Sequence, residues 1–165
     1  PFYPSLGRPG EARALARRGG VHLGPEAWVR LAGKEVLVEG PGPRRRLPLP
    51  RGGVVYAERL VLLGGRAALP VTLAGGEVAV RGEASGPLLG VLAEGSLHLH
   101  GARVEGHLLA RGGGVLGQGE VRGSLASLGE APGVRVVHRP AGEPPPGFPR
   151  WPGGRFGFPL WAVRE

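Results

Sequence analysis

The chain has 165 residues, enough for one domain with its own core, and 33 of them are Gly and 18 are Pro. It contains no Cys, which excludes disulfides, thiolate metal sites and cysteine nucleophiles. The formal charge of +8 has two open interpretations. It can indicate a surface for a polyanion, such as nucleic acid, anionic lipid or acidic glycan. Alternatively, a chain whose charged residues are almost only Arg and Glu has acquired an excess of Arg that has no binding role.

The first segment, residues 1–50, has a mixed pattern. Residues 9–18 are rich in Ala and Arg and precede a glycine pair, which predicts a short helix that stops there. Alternating apolar residues predict strands at 28–33 and 35–40. Because Val38-Glu39-Gly40 has the Val-x-Gly pattern of the later repeats, the segment is interpreted as a first irregular coil or as a cap.

The second segment, residues 51–129, contains internal repeats. An apolar-x-apolar-x-Gly signature begins at Leu60, Val78 and Leu97, with a degenerate form at Val115, so that the offsets are 18, 19 and 18 residues. A second landmark, a small residue followed two positions later by Gly, recurs at offsets of 19, 17 and 17, beginning at Ala74, Ala93, Ala110 and Ser127. Two landmarks that share one period indicate a repeating structure.

A period near 18 corresponds to three short strands of about six residues joined by corners. Alternation within each strand directs one side chain inward and the next outward, and Gly permits the tight corners. We therefore predict an all-β fold: a short β-solenoid (β-helix) of about four coils, with an N-terminal mixed segment and a C-terminal tail as caps. A β-sandwich or meander and a disordered chain stay as alternatives, whereas a leucine-rich repeat requires an Asn ladder that this sequence lacks.

The third segment, residues 130–165, ends in a tail rich in Pro and aromatic residues. Pro predicts extended chain, and disordered linkers are poor in aromatic residues. We therefore expect the tail to be ordered and packed on the solenoid, through Phe148, Trp151, Phe156, Phe158 and Trp161.

No set of residues predicts catalysis, a metal or a cofactor. His98 and His100 share a strand face, and His107 lies in the same coil, but Asp is absent and no carboxylate that would orient a metal-bound His is evident nearby. No Ser lies in a Gly-x-Ser-x-Gly motif, and without Asp no Ser-His-Asp triad can form. The prediction is a protein that is not an enzyme, with a glycan-binding or glycan-active β-helix as an alternative.

Two basic regions are candidate polyanion-binding sites. Arg44, Arg45 and Arg46 are consecutive and lie among prolines, which predicts an exposed position. In the tail, Arg150, Trp151 and Arg155 combine cations with an aromatic ring, a combination that suits single-stranded nucleic acid. The competing interpretation is that the tail aromatics pack inward and the arginines are only solvated.

Three stretches resemble minor-pilin-like, pilus-associated proteins of thermophilic and Deinococcus-type bacteria. They are Gly20-Val21-His22 with the following 29–33, the run Leu88–Gly101, and Pro144–Pro149. The absence of Cys and Met and the single Gln also fit a thermophile. The resemblance implies a structural or adhesive domain at the cell surface, on an extracellular type IV pilus, with pilus or other cell-surface subunits as partners.

This family includes a β-solenoid DNA receptor of natural transformation, so the resemblance also implies DNA binding for uptake. Membrane contact is expected only through an N-terminal apolar helix that lies outside this chain. The repeats also resemble the bactofilins, cytoplasmic β-helical scaffolds that polymerise, and this second resemblance implies a cytoplasmic polymer instead.

Overall fold

The structure, a computed structural model, describes residues 8–50, 53–139 and 141–149. Helix α1 (Glu11–Arg18) precedes all of the strands. The strands are β1 (Val21–His22), β2 (Glu26–Gly33), β3 (Glu35–Gly40), β4 (Arg45–Pro48), β5 (Val54–Tyr56), β6 (Arg59–Ala67), β7 (Val71–Gly75), β8 (Glu77–Val80), β9 (Glu83–Ala93), β10 (Leu97–Ala110), β11 (Val115–Ser127) and β12 (Val134–His138).

Parallel strands wind into a β-solenoid with three faces. Face one contains β1, β5, β7 and the last parts of β9, β10 and β11. Face two contains the first parts of β2, β6, β10 and β11, together with β8. Face three contains the last parts of β2 and β6, the first part of β9, the middle of β10 and β11, and β12.

The predicted solenoid is confirmed, with about 5 turns and a period of about 18 residues. We predicted about four turns from the repeats that begin at Leu60. The additional coil comes from β1 and β2, which pair in parallel with β5 and β6 and so form the first rung of the stack. The sequence of this coil lacks the apolar-x-apolar-x-Gly signature at the regular offset, because an inserted hairpin separates it from the next coil.

The predicted register is confirmed on face two. Leu60, Val78, Leu97 and Val115, the first residues of the repeated signature, are direct partners in consecutive coils. The second landmark was misaligned by one residue at its first step, because Ala93 pairs with Gly75 and not with Ala74. The 19-residue spacing instead arises at the following corner, where three residues separate Ala93 from Leu97 and two separate Gly75 from Val78.

The core lies inside the three faces and is built from the inward positions of each strand. Its largest members have less than 2% of their surface exposed and include Leu60, Leu62, Leu73, Leu97, Leu99, Leu108 and Leu125. Burying each such side chain contributes roughly 1.5–3 kcal/mol. Stacking identical positions of successive coils makes this core continuous, so that no coil has to bury its apolar side alone.

A hairpin of β3 and β4 covers the first coil at the edge of the sheet. β3 pairs antiparallel with β2, and β4 pairs antiparallel with β3. The last strand of this sheet therefore carries Arg45, Arg46 and Pro48, all exposed. Charged residues and Pro on an edge strand discourage pairing with another chain.

The outer side of face one is also buried. Ala12 and Ala16 of α1 pack with Val54 and Tyr56 of β5 in an apolar cluster that also contains Phe148. α1 lies within the predicted helix at 9–18, and its last turn is closed by a hydrogen bond from the Gly19 amide to the Leu15 carbonyl.

Residues 141–149 lie on the same side of face one. The Thr72 hydroxyl donates a hydrogen bond to the Pro146 carbonyl over 2.5 Å. Only 6% of the surface of Phe148 is exposed, and its ring lies over Gly90, where a Cβ would come within 2.7 Å of it. The aromatic residues predicted to continue this packing, from Trp151 to Trp161, lie outside the described residues.

A carboxylate connects the start of α1 to the solenoid. Glu94 Oε1 accepts a 2.5 Å bond from Arg111 Nη1 and a 3.3 Å bond from the Gly10 amide. Since Glu94 and Arg111 lie at the corners of consecutive coils, this ion pair connects two coils, and the bond to Gly10 connects them to the start of the helix. In the described part of the chain, no helix has the length and apolar character needed to cross a membrane.

Candidate polyanion-binding surface

Strand β2 presents an aromatic ring and a cation on its outer side. Ala27, Val29 and Leu31 are buried, so Trp28 and Arg30, which alternate with them, point away from the core. Trp28 is 44% exposed although it is a large apolar residue. Its ring lies against Gly40 of β3, where a Cβ would approach the ring carbon Cε3 to 3.2 Å.

The predicted arginine run lies at the start of the adjacent edge strand. Arg44 Nε is 3.2 Å from Glu39 Oε2, and Arg46 Nη1 is 3.5 Å from Glu35 Oε1. Arg30 of β2 shares the first of these carboxylates, with its Nε 3.7 Å from Glu39 Oε1. Trp28, Arg30, Leu37, Arg44 and Arg46, with the two glutamates, therefore share one outer surface, which we call the hairpin face.

The structure separates Arg45 from its two neighbours in sequence. Arg45 is the direct partner of the buried Val38, whereas Arg46 is the partner of Leu37 on the outer side. Opposite partners in a sheet project from the same side, so Arg45 projects from the other side of the hairpin. All three arginines are exposed, as predicted, but only Arg44 and Arg46 can act together with Trp28.

The ion pairs of the hairpin face are exposed, so a ligand can replace the glutamate partners of the arginines. The side chains of Arg44 and Arg46 are 85% and 71% exposed. Exposed ion pairs of this kind contribute only about 0–1 kcal/mol, so a phosphate group can replace a glutamate partner at little cost. The depression beside them has a volume of about 240 Å³, below the roughly 300–1,000 Å³ of small-molecule sites. It therefore suits an extended ligand that lies across the surface better than a small molecule that must be enclosed.

Trp28 and Arg30 are the functional candidates that the sequence reasoning missed. Their signal is the alternation itself: three buried apolar residues at 27, 29 and 31 place 28 and 30 outside. The tail candidates Arg150, Trp151 and Arg155 lie outside the described residues.

Three arginines of face three, Arg103, Arg122 and Arg135, lie within 4.0 Å of a glutamate, whereas Arg66 of the same face does not. Across consecutive coils the outer positions form a ladder of Glu83, Arg103, Glu120 and Arg135. Arg103 lies 3.7 Å from Glu83 and 3.3 Å from Glu120, which also has Arg135 at 4.0 Å. Glutamates pair with the arginines of the hairpin face as well, and what favours that face for a nucleic acid is the exposed indole of Trp28 beside them.

The three histidines considered as metal ligands lie on two different faces. His98 and His100 stand on the outer side of face two, with ring centroids 6.5 Å apart and planes inclined by 11°. His107 lies on face one, where its Nδ1 is 2.7 Å from the Ser124 hydroxyl oxygen. Among the described residues, no group of three or more His, Cys, Asp or Glu side chains is placed to hold a metal ion.

Burial controls the charge of His107. Only 7% of its surface is exposed, and this desolvation, together with repulsion from His138, lowers the pKa of the imidazole to about 4. The ring is therefore neutral near pH 7 and forms a buried polar contact with Ser124, which is 1% exposed.

Comparison of the chain with protein-family models, with curated proteins and with solved structures found no match.

Proposed function

We propose that this chain is a non-catalytic binding module that captures single-stranded nucleic acid, with DNA preferred, through the hairpin face. One observation carries the proposal: the half-exposed ring of Trp28 lies on the same outer surface as Arg30, Arg44 and Arg46. Aromatic rings that stack on bases, combined with cations that contact phosphates, are the usual elements of sequence-tolerant single-strand binding. The net charge of +8 favours the same class of ligand.

Fluorescence anisotropy with labelled oligo-dT tests this proposal. Binding is expected to be strong at about 50 mM salt and to weaken as salt rises, because bound cations release the counterions of the phosphates. Arg44→Gln/Arg46→Gln is expected to weaken binding and to reduce the slope of log K against log salt by about 0.7 for each lost phosphate contact. No binding by the native chain at about 50 mM salt would refute the proposal.

A matched variant controls for net charge. Arg66→Gln/Arg139→Gln removes the same two positive charges from exposed positions on and next to face three, and neither arginine makes an ion pair with another described residue. Its salt slope is expected to match that of the native chain. Equal losses in the two double variants would show that overall charge, and not the hairpin face, attracts the strand.

We also propose that the module is displayed on the outside of the cell as part of a pilus-like assembly. This proposal rests on the resemblance of three sequence stretches to minor-pilin-like proteins. It is supported by the charged, proline-containing edge strand β4, which disfavours the end-to-end growth that a bactofilin-like scaffold needs. Sequencing the 5′ end of the gene tests it: an apolar helix after a prepilin-type cleavage site is expected, and an uninterrupted polar start would contradict it.

A further inference from the structure

The outer surface of face two continues the hairpin face without a break. The sheet runs in the order β4, β3, β2, β6, β8 and β10, so neighbouring strands are hydrogen-bonded from the edge strand to the fourth coil. Five strand spacings of about 4.8 Å separate β4 from β10, a distance of about 24 Å. An extended ligand that begins at Arg46 can therefore follow this surface along the axis of the solenoid.

The row that starts at Trp28 reaches a second pair of rings in the fourth coil, before it continues to the exposed Leu116. Its outward members are Trp28, Val61, Ala79 and His98, which are direct partners in consecutive coils. Val61 and Ala79 are smaller than the residues at the two ends, so the row forms a shallow trough between the indole and the imidazole.

His98 and His100 place two nearly parallel imidazole rings at the far end of this trough. Their planes differ by only 11° at a centroid distance of 6.5 Å, and the His98 side chain is 38% exposed. Two nearly parallel, accessible rings offer stacking surfaces to bases of any sequence, because every base has a π-face.

Charged residues border the same trough. Arg59 and Arg81 are exposed and make no ion pair with another described residue. Glu26 and Glu77 are the direct strand partners of Arg59, so Arg81 is the cation of this pair that is better placed for a phosphate. Glu26 also lies on this surface, and Glu77 Oε2 lies 3.5 Å from His98 Nε2.

We infer that His98 and His100 form a second base-stacking site, and that a single strand bound at the hairpin face continues over face two to reach it. This inference rests on the proposed function and extends it, since it assigns base contacts to residues about three strand spacings, or about 14 Å, from Trp28. The ligand class is a single-stranded nucleic acid with bases, as distinct from any other polyanion.

The test compares oligo-dT of about 16 nucleotides, the upper end of usual site sizes, with an abasic sugar-phosphate strand of the same length. His98→Ala/His100→Ala is expected to weaken oligo-dT binding about tenfold and to change binding of the abasic strand less than twofold. His98→Phe/His100→Phe keeps two rings and is expected to restore the affinity. Gln118→Ala, an exposed change one coil further on, is the control for a change at this surface and is expected to have no effect.

The outcomes separate this inference from the function on which it rests. If the native chain binds oligo-dT and the double alanine variant binds it equally well, or loses affinity for both strands alike, the second stacking site is refuted and the proposed function stands. If the native chain binds neither strand, both are refuted.

Discussion

His107 is the side chain whose protonation the fold controls most strongly. The ring is buried against Ser124, and the pKa of the imidazole falls from 6.5 to about 4. The unfolded chain therefore holds this proton more tightly than the folded chain, and acid favours unfolding. The contribution to stability is complete above pH 6.5, decreases as the pH falls from 6.5 toward 4, and is lost below about 4.

His107→Gln should flatten this pH dependence. Glutamine does not titrate and retains a polar group toward Ser124. A shift from 6.5 to about 4 corresponds to about 3 kcal/mol, so the native chain should lose up to about 3 kcal/mol more stability than the variant between pH 7 and pH 4. Urea unfolding at a series of pH values measures both free energies, and identical pH profiles would contradict the burial of a neutral ring.

For individual residues, the sequence predicted exposure to solvent better than it predicted which side chains act together. The arginine run was correctly expected at the surface. Its division, with Arg44 and Arg46 on one side and Arg45 on the other, depends on which residues of β3 lie opposite. That pairing is a tertiary property, set by how the hairpin folds onto β2, and for the same reason the position of Trp28 beside the arginines was not foreseen.

Among the elements, the coils depend on glycines where one backbone passes close to the next. Gly123 has a φ of +150°, and a Cβ at this position would collide with the Gly106 carbonyl oxygen of the preceding coil. Gly101 has a φ of +67° but no atom within 4 Å of the Cβ position. A substitution at Gly101 therefore introduces backbone strain alone, whereas a substitution at Gly123 adds a steric clash with the neighbouring coil.

Alanine substitutions at these glycines should differ in cost. Gly101→Ala is expected to lose about 1–2 kcal/mol, the cost of a left-handed conformation for a residue with a Cβ. Gly123→Ala adds the collision with the neighbouring coil, which costs about 1–3 kcal/mol more. Thermal or urea unfolding of the two variants measures the difference, and equal stabilities would contradict the close approach at Gly123.

The repeat period could be predicted because each coil must place the same kind of residue at the equivalent position. Val104 to Leu108 and Val121 to Leu125, which share Val, Gly and Leu at the same positions, are paired residue for residue. The first coil could not be recognised in the same way, since the inserted hairpin moves its residues out of the regular spacing. The one-residue misalignment at Ala74 has a local cause, an additional residue in one corner.

For the whole molecule, the edge strand is expected to decide whether copies associate. β4 pairs only with β3 among the described strands, and Pro48 removes one of its backbone donors. Arg45→Thr/Pro48→Thr removes a charge and restores a donor, and it leaves Trp28, Arg30, Arg44 and Arg46 in place. Such an edge should pair with a second copy.

Sedimentation velocity measures this effect. The native chain is expected to be monomeric, and the edge variant is expected to form dimers or larger species. Arg66→Thr, on the internal strand β6, removes the same charge from a strand that already has neighbours on both sides and should leave the chain monomeric. A monomeric edge variant would contradict the protective role of β4.

The hairpin face is proposed to bind single-stranded nucleic acid. Chemical-shift mapping of the isotope-labelled chain with oligo-dT tests it most directly, because it locates the contact without any substitution. The largest shifts are expected at the Trp28 indole N–H and at the Nε–H groups of Arg30, Arg44 and Arg46. Shifts confined to the Glu–Arg ladder of face three, or no shifts at low salt, would contradict it.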